Sequence, residues 1–245
     1  MNKILCSTGA ITGKTNGYDY RLLEPLSKQL LCDGFELMMD SIWYEDIDAL
    51  KHYLQKVNLY IPVVHCEKDI GEMISKGGET ELAWAYRTFE IDCDVAKTIG
   101  AGKLVLHLWG GRASDSNFQS NINAYPYLNE KAQVYGLELL VENVVCNVEN
   151  PMKHLCELKE IYPDIRFLFD TKMAAFHEQL DMLYETEYEW LWKAGYIRHY
   201  HINGYAGDFT TEGNAVRSDG TVDVDMLNEQ FKIIREYTKG VLYAV

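Results

Sequence analysis

The stretch Leu139-Leu140-Val141-Glu142-Asn143 decides how the rest of the sequence is interpreted. Its consecutive apolar residues indicate a strand buried on both faces, which is typical of a parallel sheet covered by helices. The strand then delivers a carboxylate, Glu142, at its C-terminal end. In α/β barrels this is the end of the strands where functional groups gather. The stretch therefore predicts both a fold class and the position of a site.

Other stretches of the chain share this apolar character. We predict strands near 3–7, 34–39, 60–65, 103–108, 137–142, 165–170, 197–202 and 240–245. Apolar residues between them recur at helical spacing, most clearly over 79–99. Eight strands alternating with helices in 245 residues predict an α/β protein, a (β/α)8 TIM barrel forming a single domain over 1–245. An open doubly wound sheet is the rival topology, although no GxGxxG motif follows the first strand.

Several local signals refine this prediction. Two long connections, 66–78 and 203–222, follow predicted strands and are expected to bind or cover a ligand. Pro151 marks the start of a helix, and Asp115 or Ser116 is a candidate cap for the helix upstream.

Composition excludes several classes of function. The formal net charge is -14, with 23 basic and 37 acidic residues, so the global field opposes a nucleic-acid partner. No apolar run approaches the roughly 18 residues of a membrane span, and the N-terminus lacks the apolar core of a signal peptide. The six cysteines form no CxxC pair, which favours reduced thiols and a cytoplasmic location.

Five consecutive predicted strands end in residues that bind metals or move protons. These residues are His65, His107, Glu142, Asp170 and His201. Singly, each has an ordinary explanation, since a histidine is often simply hydrogen-bonded and an aspartate often caps a helix. Together, in a buried position, they must be paired or bind a metal. Mixed carboxylate and imidazole ligands suit Mn²⁺, Zn²⁺, Co²⁺ or Fe²⁺.

Three further residues are candidates for binding a substrate beside His65 and His107. Lys172 follows a predicted strand and can contact an anionic group. His177 folds back over the site if 171–176 is a loop, and faces outward if a helix has begun. Arg217 can bind a phosphate or another substrate oxygen, or can pair with an acidic neighbour at the surface.

With these residues in order, essentially the whole chain resembles the xylose-isomerase-like TIM-barrel superfamily. The motifs that carry the resemblance are Val-Val-His65-Cys, Leu-His107-Leu-Trp-Gly-Gly, Val-Glu142-Asn-Val, Phe-Asp170-Thr and His201-Ile-Asn-Gly. That superfamily includes sugar isomerases and epimerases, inosose dehydratases and the endonuclease IV group.

The resemblance implies a divalent metal, Mn²⁺, Zn²⁺, Co²⁺ or Mg²⁺, held by Glu142, Asp170 and His201. It also implies a fourth ligand, a glutamate at the end of strand eight, followed by a last helix. The sequence ends at Val245 without that glutamate. We therefore expect a barrel lacking its final helix, in which the fourth ligand is either truncated or absent. Met173 stands where the superfamily often has histidine, and His177 is the candidate replacement.

The activity implied is a metal-dependent isomerase or epimerase of a sugar or sugar phosphate. Glu142 would move a proton next to a carbonyl, through an enediolate. The alternatives are an endonuclease IV-like phosphodiesterase with several metal ions, and a non-catalytic sugar-binding barrel. A homodimer is common in the superfamily and is the assembly that the resemblance suggests.

Overall fold

The computed structural model describes residues 3–203 and 215–241, the last five of them as backbone. The strands are β1 (Leu5–Ser7), β2 (Gly34–Met38), β3 (Val63–His65), β4 (Lys103–Leu106), β5 (Glu138–Glu142), β6 (Arg166–Asp170) and β7 (Ile197–His201). The α-helices are α1 (Leu23–Ser27), α2 (Ile47–Val57), α3 (Asp69–Lys76), α4 (Glu79–Ile99), α5 (Phe118–Val134), α6 (Pro151–Ile161), α7 (Thr171–Phe176), α8 (Trp190–Lys193) and α9 (Val224–Val241).

The strand order confirms the predicted fold class. The sheet runs β1-β2-β3-β4-β5-β6-β7 without a reversal, and the described pairs β1–β2, β4–β5, β5–β6 and β6–β7 are all parallel. A doubly wound sheet requires a point at which the order reverses, so the rival topology is excluded for these strands. Sequential parallel strands alternating with helices are the pattern of a (β/α)8 barrel.

The prediction for the eighth strand is wrong at its beginning. Gly240 and Val241 belong to α9, and residues 242–245 lie outside the described part of the chain. The helical apolar spacing that starts at Val224 continues to Val241, so the short apolar run at the end of the sequence was not sufficient to indicate a strand there. The other seven predicted strands are confirmed.

The described residues divide into two compact units. One comprises 3–64, 98–101 and 215–241, and the other comprises 65–97 and 102–203. In the second unit the middle residues of β4, β5 and β6 are almost fully buried, as their unbroken apolar sequences predict. All five predicted strand-end residues lie in this second unit. The single domain expected from the sequence stays a prediction.

The predictions for connections and helix caps are confirmed only in part. The connection 66–78 is not an open loop, because α3 occupies most of it. Helix α6 begins at Pro151 as predicted, and Asn150 caps it by accepting a bond from the Lys153 N–H. Neither Asp115 nor Ser116 caps α5, since Asn117 holds that position. Most of the connection 203–222 lies outside the described residues, and Val216 pairs with Val222 in the part that is described.

No helix among residues 3–203 and 215–241 is long and apolar enough to cross a membrane.

Candidate functional site

Three of the predicted ligands converge at the ends of adjacent strands. Glu142, Asp170 and His201 are the last residues of β5, β6 and β7. Nδ1 of His201 lies 3.3 Å from Oε1 of Glu142 and 3.5 Å from Oδ2 of Asp170. Because parallel strands end on the same edge of a sheet, their terminal side chains meet without any contribution from a long loop.

The second oxygen of Glu142 faces the two remaining histidines. Oε2 lies 3.0 Å from Nε2 of His107 and 3.2 Å from Nε2 of His65. Nδ1 of His65 lies 2.7 Å from the carbonyl oxygen of Cys66, and a carbonyl only accepts, so this nitrogen carries a proton. The predicted set of five residues is therefore one connected cluster with Glu142 at its centre.

Electrostatics keep the Glu142 carboxyl ionised. Burial alone would raise its pKa, because the charged form loses its hydration. The charges and hydrogen bonds of His201 and His107 outweigh burial and hold the pKa of Glu142 well below its usual range. Burial lowers the pKa of His107, and Glu142 opposes that shift. A buried carboxylate surrounded by imidazoles is suited both to binding a cation and to exchanging a proton.

Asp170 has two roles that are divided between its oxygens. Oδ1 accepts the backbone N–H groups of Lys172 at 2.7 Å and Met173 at 3.0 Å, and thereby caps α7. Oδ2 faces His201 and accepts a bond of 3.0 Å from the Asn203 amide. The ordinary explanation, a helix cap, is therefore confirmed for this residue, and its role as a metal ligand stays a prediction.

The donor set fits a divalent cation. One atom each from Glu142, Asp170 and His201 lies within 4.8 Å of the others, and two carboxylate oxygens with one imidazole nitrogen suit the borderline metals named from the sequence. A second group, His65, His107 and Glu142, meets the same distance criterion. The sequence has no glutamate at the end of the predicted eighth strand, and residues 242–245 lie outside the described part of the chain, so the fourth ligand is not tested.

No direct contact with the three proposed metal ligands through a side chain is described for the remaining predicted binding residues. The structure has helix α7 over 171–176, and Nε2 of the following His177 accepts the backbone N–H of Cys146 at 3.1 Å. Lys172 is half-buried in the first turn of α7. Arg217 belongs to the other compact unit and pairs with Asp223 at 2.9 Å, the surface pairing that the sequence left open. Substrate contacts by these three residues stay predictions.

Asn143 is a site residue that the sequence reasoning missed. Its buried side-chain amide bonds to both backbone groups of Asp170: Oδ1 accepts the N–H at 2.6 Å, and Nδ2 donates to the carbonyl at 3.1 Å. The signal was available in the sequence, since an amide directly follows the strand-end carboxylate. Assigning Asp170 as the partner of this amide would have required the register of β5 and β6, which the sequence does not specify.

A second buried cluster holds the β5–α6 loop, residues 144–149. The Asp115 carboxylate accepts the backbone N–H groups of Asn147, Val148 and Glu149 at 2.7–3.0 Å. Nε2 of His154 donates to the same carboxylate at 2.9 Å. Although Asp115, Cys146 and His154 lie close enough to share a cation, these hydrogen bonds, with a fifth from the Ser114 hydroxyl at 3.3 Å, already occupy the Asp115 oxygens. The cluster is therefore a structural anchor for the loop.

Proteins of known structure share this fold. D-allulose 3-epimerase from Methylomonas sp., solved with D-allulose, is 18% identical, with a TM-score of 0.61 over 96% of this chain and 82% of the epimerase. A protein of Anabaena variabilis assigned as a sugar phosphate isomerase/epimerase is 14% identical, with a TM-score of 0.68 over 98% of this chain and 99% of that one. A protein of Bacillus anthracis assigned as a 3-DHS dehydratase is 15% identical, with a TM-score of 0.64 over 95% and 89% of the two chains.

These similarities confirm the predicted resemblance at the level of the fold. The structural neighbours are xylose-isomerase-like sugar isomerase/epimerase proteins, and they also include the assigned dehydratase. No family profile matches the sequence, and no curated protein matches it at the level of sequence. At identities of 14–18% the likeness speaks for the architecture, and the chemistry has to be argued from the site.

Proposed function

We propose that the protein is a metal-dependent isomerase or epimerase of a sugar or sugar phosphate. The observation that carries the proposal is the cluster around Glu142. One oxygen of this buried ionised carboxylate lies near His201, which also faces Asp170, and the other oxygen faces His65 and His107. Such a group can bind a cation through one oxygen and exchange a proton at the other. Structural neighbours named as sugar epimerases support the substrate class.

In this proposal the metal ligands are Glu142, Asp170 and His201. A divalent cation bound there would stabilise the negative charge that develops on the substrate oxygens during proton abstraction next to a carbonyl. Mn²⁺, Zn²⁺, Co²⁺ and Mg²⁺ are all compatible with these ligand types. One carboxylate with these neighbours could remove a proton from one substrate carbon and return it to the adjacent carbon, as in an aldose–ketose isomerisation, while a second proton passes between the two substrate oxygens.

In this proposal the proton taken from the substrate would pass to Glu142 beside its histidines. Since Nδ1 of His65 donates to a backbone carbonyl, Nε2 is the nitrogen that faces Oε2 of Glu142, and it could accept a hydrogen bond from that oxygen once Glu142 is protonated. His107 reaches the same oxygen and orients it. Because these rings are buried and their positions are fixed by hydrogen bonds, the carboxylate needs little reorganisation when it accepts a proton from a substrate carbon.

The second candidate function is a phosphodiesterase of the endonuclease IV type. The group His65, His107 and Glu142 favours it, because a second cation could share Glu142 with the first. The net charge of -14 opposes a nucleic-acid substrate. Metal stoichiometry separates the two candidates: one ion per chain supports the isomerase, and two or three support the hydrolase.

We also propose a cytoplasmic location, and the thiols support this proposal. All six cysteines are free, and burial raises the pKa of Cys66 and Cys146, which disfavours the thiolate form of both. Unpaired, buried cysteines are compatible with the reducing cytoplasm, where we place the protein.

The test is the substitution Glu142→Gln, assayed on a panel of ketoses and aldoses with added Mn²⁺. We expect turnover to fall by at least about 10³-fold, because the amide neither moves the proton nor binds the cation with the same charge. Glu138→Gln, at the opposite end of the same strand, is the matched control and should keep wild-type activity, since Glu138 pairs with Arg198 at the surface. Full activity of Glu142→Gln would refute the assigned role.

A further inference from the structure

Asn143 continues the strand pairing where the backbone of β5 can no longer do so. The register of β5 and β6 ends with Glu142 opposite Leu168, two residues before the end of β6. Beyond this pair the chain of β5 turns away, since the N–H of Val144 donates to the carbonyl of Glu142. The backbone groups of Asp170 would then face β5 without a partner. The Asn143 amide takes the place of a backbone peptide group and bonds to both.

Only an amide of this length satisfies both backbone groups. The N–H of Asp170 requires an acceptor and its carbonyl requires a donor, and an asparagine side chain carries one of each at the correct spacing. A carboxylate offers no donor, and would place its negative oxygen against the Asp170 carbonyl. The site is buried, with Asn143 1% exposed, so water cannot replace a lost bond without rearrangement.

Two consequences for the carboxylates follow from this bridge. The residue before Asn143 is Glu142, so two consecutive residues supply a proposed metal ligand and the amide that holds the backbone of the second ligand, Asp170. With its backbone fixed, Asp170 directs Oδ1 to the N-terminus of α7 and Oδ2 toward His201. Without the two hydrogen bonds from the Asn143 amide to the Asp170 backbone, both carboxylates would still be present, but the distance between them would no longer be fixed.

We infer that Asn143 is a positioning residue that sets the spacing of Glu142 and Asp170 and thereby the affinity of the site for a divalent cation. This inference rests on the proposed function, since the cation is the one proposed there. Asn143 itself contacts neither substrate nor cation. When a group that hydrogen-bonds to a metal ligand without touching the metal is removed, metal affinity commonly falls by about 10–100-fold.

The experiment compares Asn143→Asp and Asn143→Ser with the wild type by calorimetric titration with Mn²⁺, together with kcat and KM. The aspartate keeps the shape and removes the donor, and the neutral serine carries the test if the aspartate variant does not fold. We expect Mn²⁺ to bind about 10–100-fold more weakly to the folded variant, with a fall in kcat that high Mn²⁺ concentrations partly restore.

The matched control is Asn121→Asp, which places the same carboxylate at another buried amide of the second unit. Asn121 donates to the Leu108 carbonyl at 2.6 Å and contacts none of the three proposed ligands. The Asn121→Asp substitution should lower thermal stability while leaving Mn²⁺ affinity unchanged, because Asn121 makes no hydrogen bond to Asp170. A general loss of packing would weaken Mn²⁺ binding in both positions alike.

The outcomes distinguish this inference from the proposed function. If the wild type binds no Mn²⁺ and turns over no sugar, the proposed function fails, and the inference fails with it. If the wild type binds Mn²⁺ and the folded Asn143 variants bind it equally well, the positioning role alone is overturned. Selective weakening at position 143 supports both.

Discussion

Asp115 shows how much one buried carboxylate can organise. It accepts three backbone N–H groups of the β5–α6 loop and the imidazole of His154. Burial would raise its pKa, but the bond from His154 and the three N–H groups outweigh burial and lower the pKa below its ordinary value. The charged form is therefore the one that the folded state stabilises.

The substitution Asp115→Asn should destabilise the protein at pH 7 by about 2–4 kcal/mol, because the amide turns one acceptor into a donor facing other donors. Since the folded pKa lies below the unfolded value of about 3.9, the wild-type contribution is complete above that pH and is lost as the pH falls. Urea unfolding between pH 7 and 3.5 measures the difference.

The stability difference between wild type and Asp115→Asn should thus narrow below about pH 4. A difference that stayed constant over this range would contradict the assigned role of the charge. Asp164→Asn provides the control, because Asp164 is exposed and only its backbone carbonyl accepts a hydrogen bond, from Arg166. It should change stability little at any pH.

At the scale of elements, α3 packs unusually close to the chain that follows β4. A Cβ added to Gly71 would lie 2.4 Å from the carbonyl oxygen of His107 and 2.7 Å from that of Trp109. Both neighbours are backbone atoms, which cannot rotate away as a flexible side chain can. The missing side chain is therefore a requirement for the position of α3 against His107.

We expect Gly71→Ala to destabilise the protein by about 1–3 kcal/mol through overpacking, and to lower activity because the His107 backbone must move. Gly102→Ala is the control, since nothing lies within 4 Å of its added Cβ. It should be neutral or slightly stabilising. Thermal unfolding and kcat of both variants provide the comparison, and equal behaviour of the two would contradict the packing argument.

The sequence predicts the elements of this site better than their connections. Unbroken apolar runs locate β4, β5 and β6, and strand-end residues follow directly from them. Asp115 was interpreted as a helix cap, because an aspartate before a helix has that local signature. Its partners in the β5–α6 loop and on α6 lie 32–39 residues away, and no local pattern encodes them. Asn143 was missed for the same reason, because its role depends on a strand register.

At the scale of the whole molecule, the proposed metal should couple to stability. All three ligands belong to the folded second unit, so a cation that binds there and not to the unfolded chain stabilises the fold by mass action. At a concentration about 100 times its Kd, this contributes roughly 2.7 kcal/mol. For a chain of this length such a gain corresponds to a rise in Tm of about 5–10 °C.

We therefore expect Tm to rise with the concentration of Mn²⁺ and to fall back when EDTA is added. Asp170→Asn should abolish most of that rise, since it removes one of the three proposed ligands. Calorimetry with Mn²⁺ at roughly 0.1 to 10 times the protein concentration, and above, gives both the shift in Tm and the number of ions bound per chain. A Tm that is indifferent to every divalent cation tried would contradict the metal assignment.

The many hydrogen bonds of the β5–α6 loop also bear on how this chain can diversify. Its backbone N–H groups from Cys146 to Glu149 each have a side-chain partner, as do the carbonyls of Val144 and Val145. One inserted or deleted residue would shift every one of these pairs at once. Homologues that evolve a new substrate preference should therefore keep this loop at constant length and vary in their other connections.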